Sequence, residues 1–251
     1  MREGKNALVV GGSKGLGAEI VKSLLASDYS VTVISRSKGE LEDGDAMKSK
    51  RLSFYFVDFS DVDLVRSILK AQKIDFTSFD VVVNNLGGNL DEKDPLAEYN
   101  SFERVLWHNF GYIVEVNRAC IEGMIRRGHG KICNISSVSA LENHGAPQYC
   151  ASKAALNSYT KAVGRYLASY GITMFGIMPG AILDNNGYWS RMKVSNPKHF
   201  MDFRNSRLPA GHFQSATSIA HLVTFIVDEI DSLAFAGAVL LADGGISRTY
   251  L

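Results

Sequence analysis

Residues 9–25 read VVGGSKGLGAEIVKSLL. An apolar run, Ala7 to Val10, ends in a turn carrying Gly11, Gly15 and Gly17. The turn opens into a segment with apolar residues at Ile20, Val21, Leu24 and Leu25, the spacing of one helical face. Strand, glycine turn and amphipathic helix in that order are the frame a dinucleotide site requires. Glycines let the backbone approach a pyrophosphate, and the helix start offers unpaired N–H groups and the positive end of the dipole. Tight turns use glycine for conformational reasons alone, so the surroundings decide the reading.

Working outward, short apolar runs recur: VTVI at 31–34, FYFV at 54–57, VVV at 81–83, KICNI at 131–135, ITMFGIM at 172–178 and AVLL at 238–241. Such continuous runs suit strands buried on both faces. Between them lie helically spaced segments, such as Val65, Ile68 and Leu69. The alternation predicts an α/β Rossmann fold: a doubly wound, about seven-stranded, mostly parallel sheet with right-handed crossovers and helices on both faces. No repeat, low-complexity tract or Pro/Ser-rich linker divides residues 1–251, so a single dinucleotide-binding domain is expected. Residues 184–213 break the alternation. They lack a clean period and are long for a connection, which predicts a substrate lid with short helices before the last helix and strand.

The 251 residues are 46% hydrophobic and 21% charged, the balance of a soluble protein with a substantial core. With 27 basic and 26 acidic residues the net charge is +1, which supplies no field to gather nucleic acid or an anionic membrane. Cys120, Cys133 and Cys150 are odd in number and lack metal-ligand spacing, as expected of reduced thiols in a cytoplasmic protein without a metal site. The apolar run behind the charged N-terminus is too short for a signal peptide or a membrane span.

The second strand runs into VISRSK, about 20 residues beyond the glycines, where an acidic residue would bond the adenosine ribose of NAD. Ser35 and Arg36 stand there instead. Serine leaves room, the arginine fork suits a 2′-phosphate, and Lys14 adds a second positive charge, so NADP(H) is expected in preference to NAD(H). Farther on, HGAPQYCASKAALNSYTKAV at 144–163 sets Tyr149 and Lys153 four residues apart, on one face of a helix. An ordinary phenol titrates at about 10, so it needs a nearby cation to act as a base near neutrality.

Eight ordered signals run along nearly the whole chain: GGSKGLG at 11–17, VDFSD at 57–61, NNLGG at 84–88, HNFG at 108–111, NISS at 134–137, YCASK at 149–153, PGAI at 179–182 and LLADGG at 240–245. With them the sequence resembles the short-chain dehydrogenase/reductase family, in the short form that includes 3-oxoacyl carrier-protein reductases and many sugar, polyol and steroid dehydrogenases. The resemblance implies interconversion of a ketone and a secondary alcohol by hydride transfer. Tyr149 then corresponds to the general acid/base. Lys153 corresponds to the residue that lowers the phenol pKa and holds the nicotinamide ribose. Ser137 would bond the substrate oxygen, with Ser136 as its competitor, and Asn109 would support a water linking the lysine to solvent. The cofactor set it implies is Gly11, Ser13, Lys14, Gly15, Leu16, Gly17, Arg36, Asp58, Phe59, Asn85, Gly87, Tyr149, Lys153, Pro179, Gly180 and Ile182. It also implies a homotetramer built through the helices around 112–127 and 149–169 and the last strand.

The chain departs from the family pattern at Val10, where threonine is frequent, at Leu86, where alanine is common, and at Asp184 and Asn185, where threonine often bonds the nicotinamide amide. Two other functions compete on the same fold: a dinucleotide-sensing regulatory protein and a nucleotide-sugar epimerase or dehydratase. The lid carries Arg191, Lys193, Lys198, Arg204 and Arg207 against Asp184 and Asp202. That surplus, interleaved with Tyr188, Trp189, Phe200 and Phe203, suggests an anionic substrate such as an activated sugar or an oxoacyl group, stacked on the rings.

Overall fold

In β1 (Asn6–Val10) successive side chains point to opposite faces, and both faces are covered. Ala7 and Val9 face one core and Leu8 and Val10 the other, which is why the strand reads as one unbroken apolar run. The computed structural model describes residues 5–42, 50–71, 74–228 and 231–249. Around β1 it places β2 (Ser30–Ser35), β3 (Leu52–Phe56), β4 (Val81–Asn84), β5 (Gly130–Ile135), β6 (Ile172–Pro179) and, after a two-residue ribbon, β9 (Val239–Ala242).

These seven strands form one sheet in the order β3-β2-β1-β4-β5-β6-β9, and every pairing is parallel. The expected doubly wound sheet is therefore present. One face is covered by α1 (Gly15–Ala26) and α8 (Ala216–Asp228), whose Ile20, Leu24, Ile219 and Val223 meet Val9, Val33, Val83 and Ile177. The other face is covered by α2 (Val62–Lys70), α4 (Tyr112–Arg127) and α5 (Pro147–Leu167), which bring Val65, Ile113, Val116 and Leu156 against Leu8, Val82, Ile132 and Met174. The strand order reverses between β1 and β4, and the crevice beyond their carboxyl ends is where open α/β sheets bind ligands.

A short helix, α3 (Tyr99–Leu106), reaches α4 through one wide turn at Trp107–Gly111. The lid comprises α6 (Tyr188–Ser195) and α7 (Pro197–Arg207), closed at its base by β7 (Ile182–Leu183) pairing with β8 (Gln214–Ser215). It has a small core of its own. Phe200, Leu208 and Phe213 are buried with Ala181 and Ile246, and the Trp189 ring lies 4.0 Å from that of Phe203 and 5.7 Å from that of His199. The aromatic residues expected to wall a substrate pocket are thus largely used by one another. Tyr188 stays half exposed, and the five lid cations remain outside this core.

Candidate active site

The glycine turn is built by close approach. Gly11 has φ +77°, and a Cβ there would lie 2.7 Å from the backbone nitrogen of Leu86. A Cβ on Gly17 would lie 2.6 Å from Asn85 Nδ2, which itself donates to Gly11 O at 2.9 Å. The backbone N–H groups of Asn85 and Leu86 both donate to Val10 O. Strand ends β1 and β4 are therefore locked to each other, with Ser13, Lys14, Gly15 and Leu16 opening α1 beside them. Gly15 has φ +53°, and a Cβ on it would fall within the Asp184 carboxylate.

Arg36 is exposed at the end of β2, and its positive charge reaches Asp58 and His108. Ser35 is buried and donates its hydroxyl to Ser37 O at 2.7 Å. Asp58 accepts from the Ser60 N–H (2.9 Å) and hydroxyl (2.8 Å), bonds that hold its carboxyl below the usual range. The Phe59 side chain lies in the core, edge-on to Tyr112 at 5.1 Å. Its carbonyl accepts from Trp107 Nε1 at 2.7 Å. Phe59 thus shapes this end of the crevice through its backbone rather than its ring.

Asn109 is brought inward by the wide turn, a single i→i+5 insertion of the kind that often marks functional positions. Its Nδ2 donates to Val105 O and Gly88 O, both at 2.8 Å, and its Oδ1 accepts from Gly88 N–H at 2.9 Å. Tyr112 adds a bond to Leu86 O at 2.8 Å. The strip 86–88 is clamped from both sides, and a Cβ on Gly87 would stand 2.8 Å from Asn109 Oδ1 and 3.1 Å from Lys153 Nζ. A side chain at position 87 would therefore crowd both the Asn109 oxygen and the Lys153 amine.

Lys153, on the buried face of α5, is 2% exposed. Its Nζ donates to Ile135 O at 2.9 Å and lies 5.8 Å from the Tyr149 ring centre. Burial pulls the ammonium down to about 7. Burial likewise pushes the Tyr149 phenol up, and the hydrogen bond with Ser137 draws it partly back. Desolvation is the largest influence on each of the two groups. The two serines separate cleanly. The Ser137 hydroxyl draws the phenol's pKa down and accepts from Ser139 N–H at 3.1 Å. Ser136 is buried, with its N–H on Ile177 O (2.7 Å) and its hydroxyl turned toward Lys153 O (3.5 Å).

At the end of β6, Pro179 is buried and the Gly180 N–H is taken by Gln214 Oε1 at 3.0 Å, which fixes the lid base beside Ile182. A cavity of about 350 Å³ opens at this base, lined by residues that include Leu208, Phe213, Gln214 and Asp243 but neither Ser137 nor Tyr149. Three features of the crevice had no mark in the sequence. His108 Nδ1 is buried without a hydrogen-bond partner, and burial pulls the ring down to about 4, so it stands neutral at the adenosine end. Glu142 accepts from Arg248 N–H and from the Thr249 hydroxyl (3.1 Å), tying the chain's last described residues to the loop before Tyr149. Glu40 accepts from Gly15 N–H. The two glutamates pair with distant positions and the burial of the His108 ring is set by other elements, and periodicity sees neither.

A nicotinamide dinucleotide fits this crevice. Gly11, Gly15, Gly17 and Gly87 stand where a Cβ would collide with neighbouring atoms of the site, a helix N-terminus opens beside them, and one buried ring nitrogen lacks a partner there.

The sequence profile described as short chain dehydrogenase matches residues 5–188. An uncharacterised oxidoreductase of Thermotoga maritima is 30% identical over 256 aligned positions, covering 98% of this chain and 97% of the relative. A 3-oxoacyl-[acyl-carrier-protein] reductase of Staphylococcus aureus is 28% identical, covering 98% and 99%. Among solved structures, ElxO with NADP bound superposes with a TM-score of 0.84 at 26% identity, covering 97% of this chain and 99% of that one.

Proposed function

The chain belongs to the short-chain dehydrogenase family, and from that membership we propose that Asn109, Ser137, Tyr149 and Lys153 carry a reversible, NADP(H)-dependent interconversion of a ketone and a secondary alcohol. The observation that carries the assignment is the pairing of Tyr149 and Lys153 on α5, with the Lys153 amine 5.8 Å from the Tyr149 ring centre and close against the Gly87 strip. The nicotinamide, when bound, supplies or accepts the hydride. Ser137 orients the substrate oxygen toward the phenol. Tyr149, protonated at neutral pH because burial raises its pKa, donates a proton to that oxygen during reduction and takes it back during oxidation. Lys153 is poised to hold the ribose and restore the phenol's proton, and Asn109 holds strip 86–88 in place beside the amine.

The relatives support an oxidoreductase over a dinucleotide sensor or a nucleotide-sugar epimerase. NADP(H) is supported by Arg36 at the end of β2 and by the NADP-bound relative. The cofactor is held by Gly11, Ser13, Lys14, Gly15, Leu16 and Gly17 around the phosphates. Arg36 and Asp58 with the Phe59 backbone hold the adenosine end; Asn85, Gly87, Pro179, Gly180 and Ile182 line the rest. The assignment is tested by NADPH oxidation against a panel of ketones. Arg36→Ala should erode the preference for NADPH over NADH by about one to two orders of magnitude, since a charge-assisted contact is worth about 1.5–3 kcal/mol. A wild-type protein that prefers NADH would reject the reading.

The whole chain is proposed to act as one domain on a small-molecule substrate. An anionic substrate is supported by the lid's surplus of cations alone, now that its rings are committed to their own core. Three free thiols favour a cytoplasmic setting, and among the described residues no helix is long and apolar enough to cross a membrane. A homotetramer is supported by Tyr166, an aromatic side chain left exposed on α5, one of the helices concerned. Light scattering at micromolar concentration should give four times the chain mass, and a monomeric mass would refute the assembly.

A further inference from the structure

The glycine turn already holds an anion from its own chain. Glu40 Oε1 accepts from Gly15 N–H at 3.0 Å and from Asn186 Nδ2 at 2.7 Å. This carboxylate is placed by a docked turn and not by a loose side chain. Glu40 lies in the short turn Gly39–Leu41, whose Leu41 is fully buried against α1 and whose Glu40 N–H donates to Ser13 O at 2.9 Å. Gly39, with φ +59°, permits the contact, because a Cβ there would meet Lys14 Cγ at 2.9 Å. Asn186 belongs to the start of the lid. From the same segment Asp184 sets its carboxylate against Gly15 and caps the lid's entry by accepting from Asn186 N–H (3.2 Å) and Gly187 N–H.

Two carboxylates therefore meet the positive end of α1, at the place where the proposed dinucleotide would set its phosphates. Like charges cannot share that position cheaply. Glu40 must give up Gly15 for a phosphate to use the same N–H, and with that movement its bond to Asn186 is lost.

We propose that Glu40 is an internal competitor for the cofactor's phosphates and the catch of a clasp: in the cofactor-free protein it occupies the Gly15 amide and holds the lid through Asn186, and the arriving dinucleotide displaces it and frees the lid. The inference rests on the reading of the glycine turn as a dinucleotide site. It assigns the lid's release to the phosphate end of the cofactor, remote from the nicotinamide. It also makes cofactor affinity the difference between two anions' claims on one amide, since a ligand shifts an equilibrium only by its differential affinity for the two states.

The test uses the full chain, as wild type, Glu40→Gln, Glu40→Ala and Asn186→Ala, with NADPH as the probe. Two quantities are read: the NADPH dissociation constant from fluorescence, and hydrogen exchange of the lid peptide spanning 184–196. Glu40→Gln keeps an acceptor in place but removes its charge, so it should bind NADPH about three- to tenfold more tightly. Without cofactor, Glu40→Ala and Asn186→Ala should exchange lid amides about two- to tenfold faster than wild type, the loss of one net hydrogen bond. Saturating NADPH should abolish that difference. Asn186→Ala, which keeps the competing charge, should alter NADPH affinity less than Glu40→Gln does. Equal affinity in wild type and Glu40→Gln, or unchanged lid exchange in Glu40→Ala, overturns the clasp while normal NADPH binding leaves the dinucleotide reading intact. A wild type that does not bind NADPH, with a lid still loosened by Glu40→Ala, overturns both the dinucleotide reading and the release step.

Discussion

Tyr149→Phe is expected to lower turnover by about 10²- to 10⁴-fold, the range a positioned acid or base contributes, while NADPH affinity changes by less than about tenfold, the most that one neutral hydrogen bond supplies. The variant removes one oxygen from a packed ring, so the helix and the crevice should stay intact and the loss should fall on kcat. The pH dependence follows from the same geometry. Burial raises the phenol's pKa, so the protonated acid persists into alkaline solution. Reduction of a ketone should therefore hold its rate across neutrality, and oxidation of the alcohol should gain rate as the pH rises toward the phenol's pKa. Near-normal turnover by Tyr149→Phe on the physiological substrate would remove this residue from the proton path.

Lys153→Met should damage two properties at once. Turnover should fall by about 10²-fold or more, because the phenol loses its proton partner. NADPH affinity should fall by about tenfold or more, because a charged donor is lost from the ribose. Stability should move the other way. The wild-type lysine sheds its proton at about 7 in the folded protein and at 10.5 when unfolded. Between those values the unfolded chain binds more protons, so wild-type stability rises with pH across that window, and below it the full penalty of burying the charge remains. In the cofactor-free protein, the Met variant's melting temperature relative to wild type should be most favourable below pH 7 and should lose that advantage as the pH climbs to 10.5. Unchanged NADPH affinity in the variant would deny the lysine its double duty.

The sheet was legible in the sequence because each central strand is buried on both faces, which leaves unbroken runs such as Ala7–Val10 and Val81–Val83, and because glycines mark the turn into α1. Tyr149 and Lys153 were legible for a different reason: four residues along one helix fix their relation whatever the rest of the chain does. What escaped was non-local. β7 and β8 have two residues each, too few to carry a period. Glu40 meets Gly15 and Asn186 across 25 and 146 positions. The lid aromatics could be counted but not aimed, and the fold turned them on one another. The burial that dominates the titration of Tyr149 and Lys153 depends on how deep both groups lie, which spacing alone does not give.

The wide turn at Trp107–Gly111 restricts how this protein can change over evolutionary time. Removing one residue from it would turn α3 and α4 into a single regular helix, locally more favourable than the original. The same deletion would rotate everything on one side by about 100°, the angle per residue of an α-helix, and swing Asn109 off Gly88. Most single substitutions in the turn preserve its length and leave that rotation fixed. The segment should therefore drift in composition across descendants while holding its residue count, so that insertions and deletions, more than replacements, would mark a descendant that has given up the chemistry.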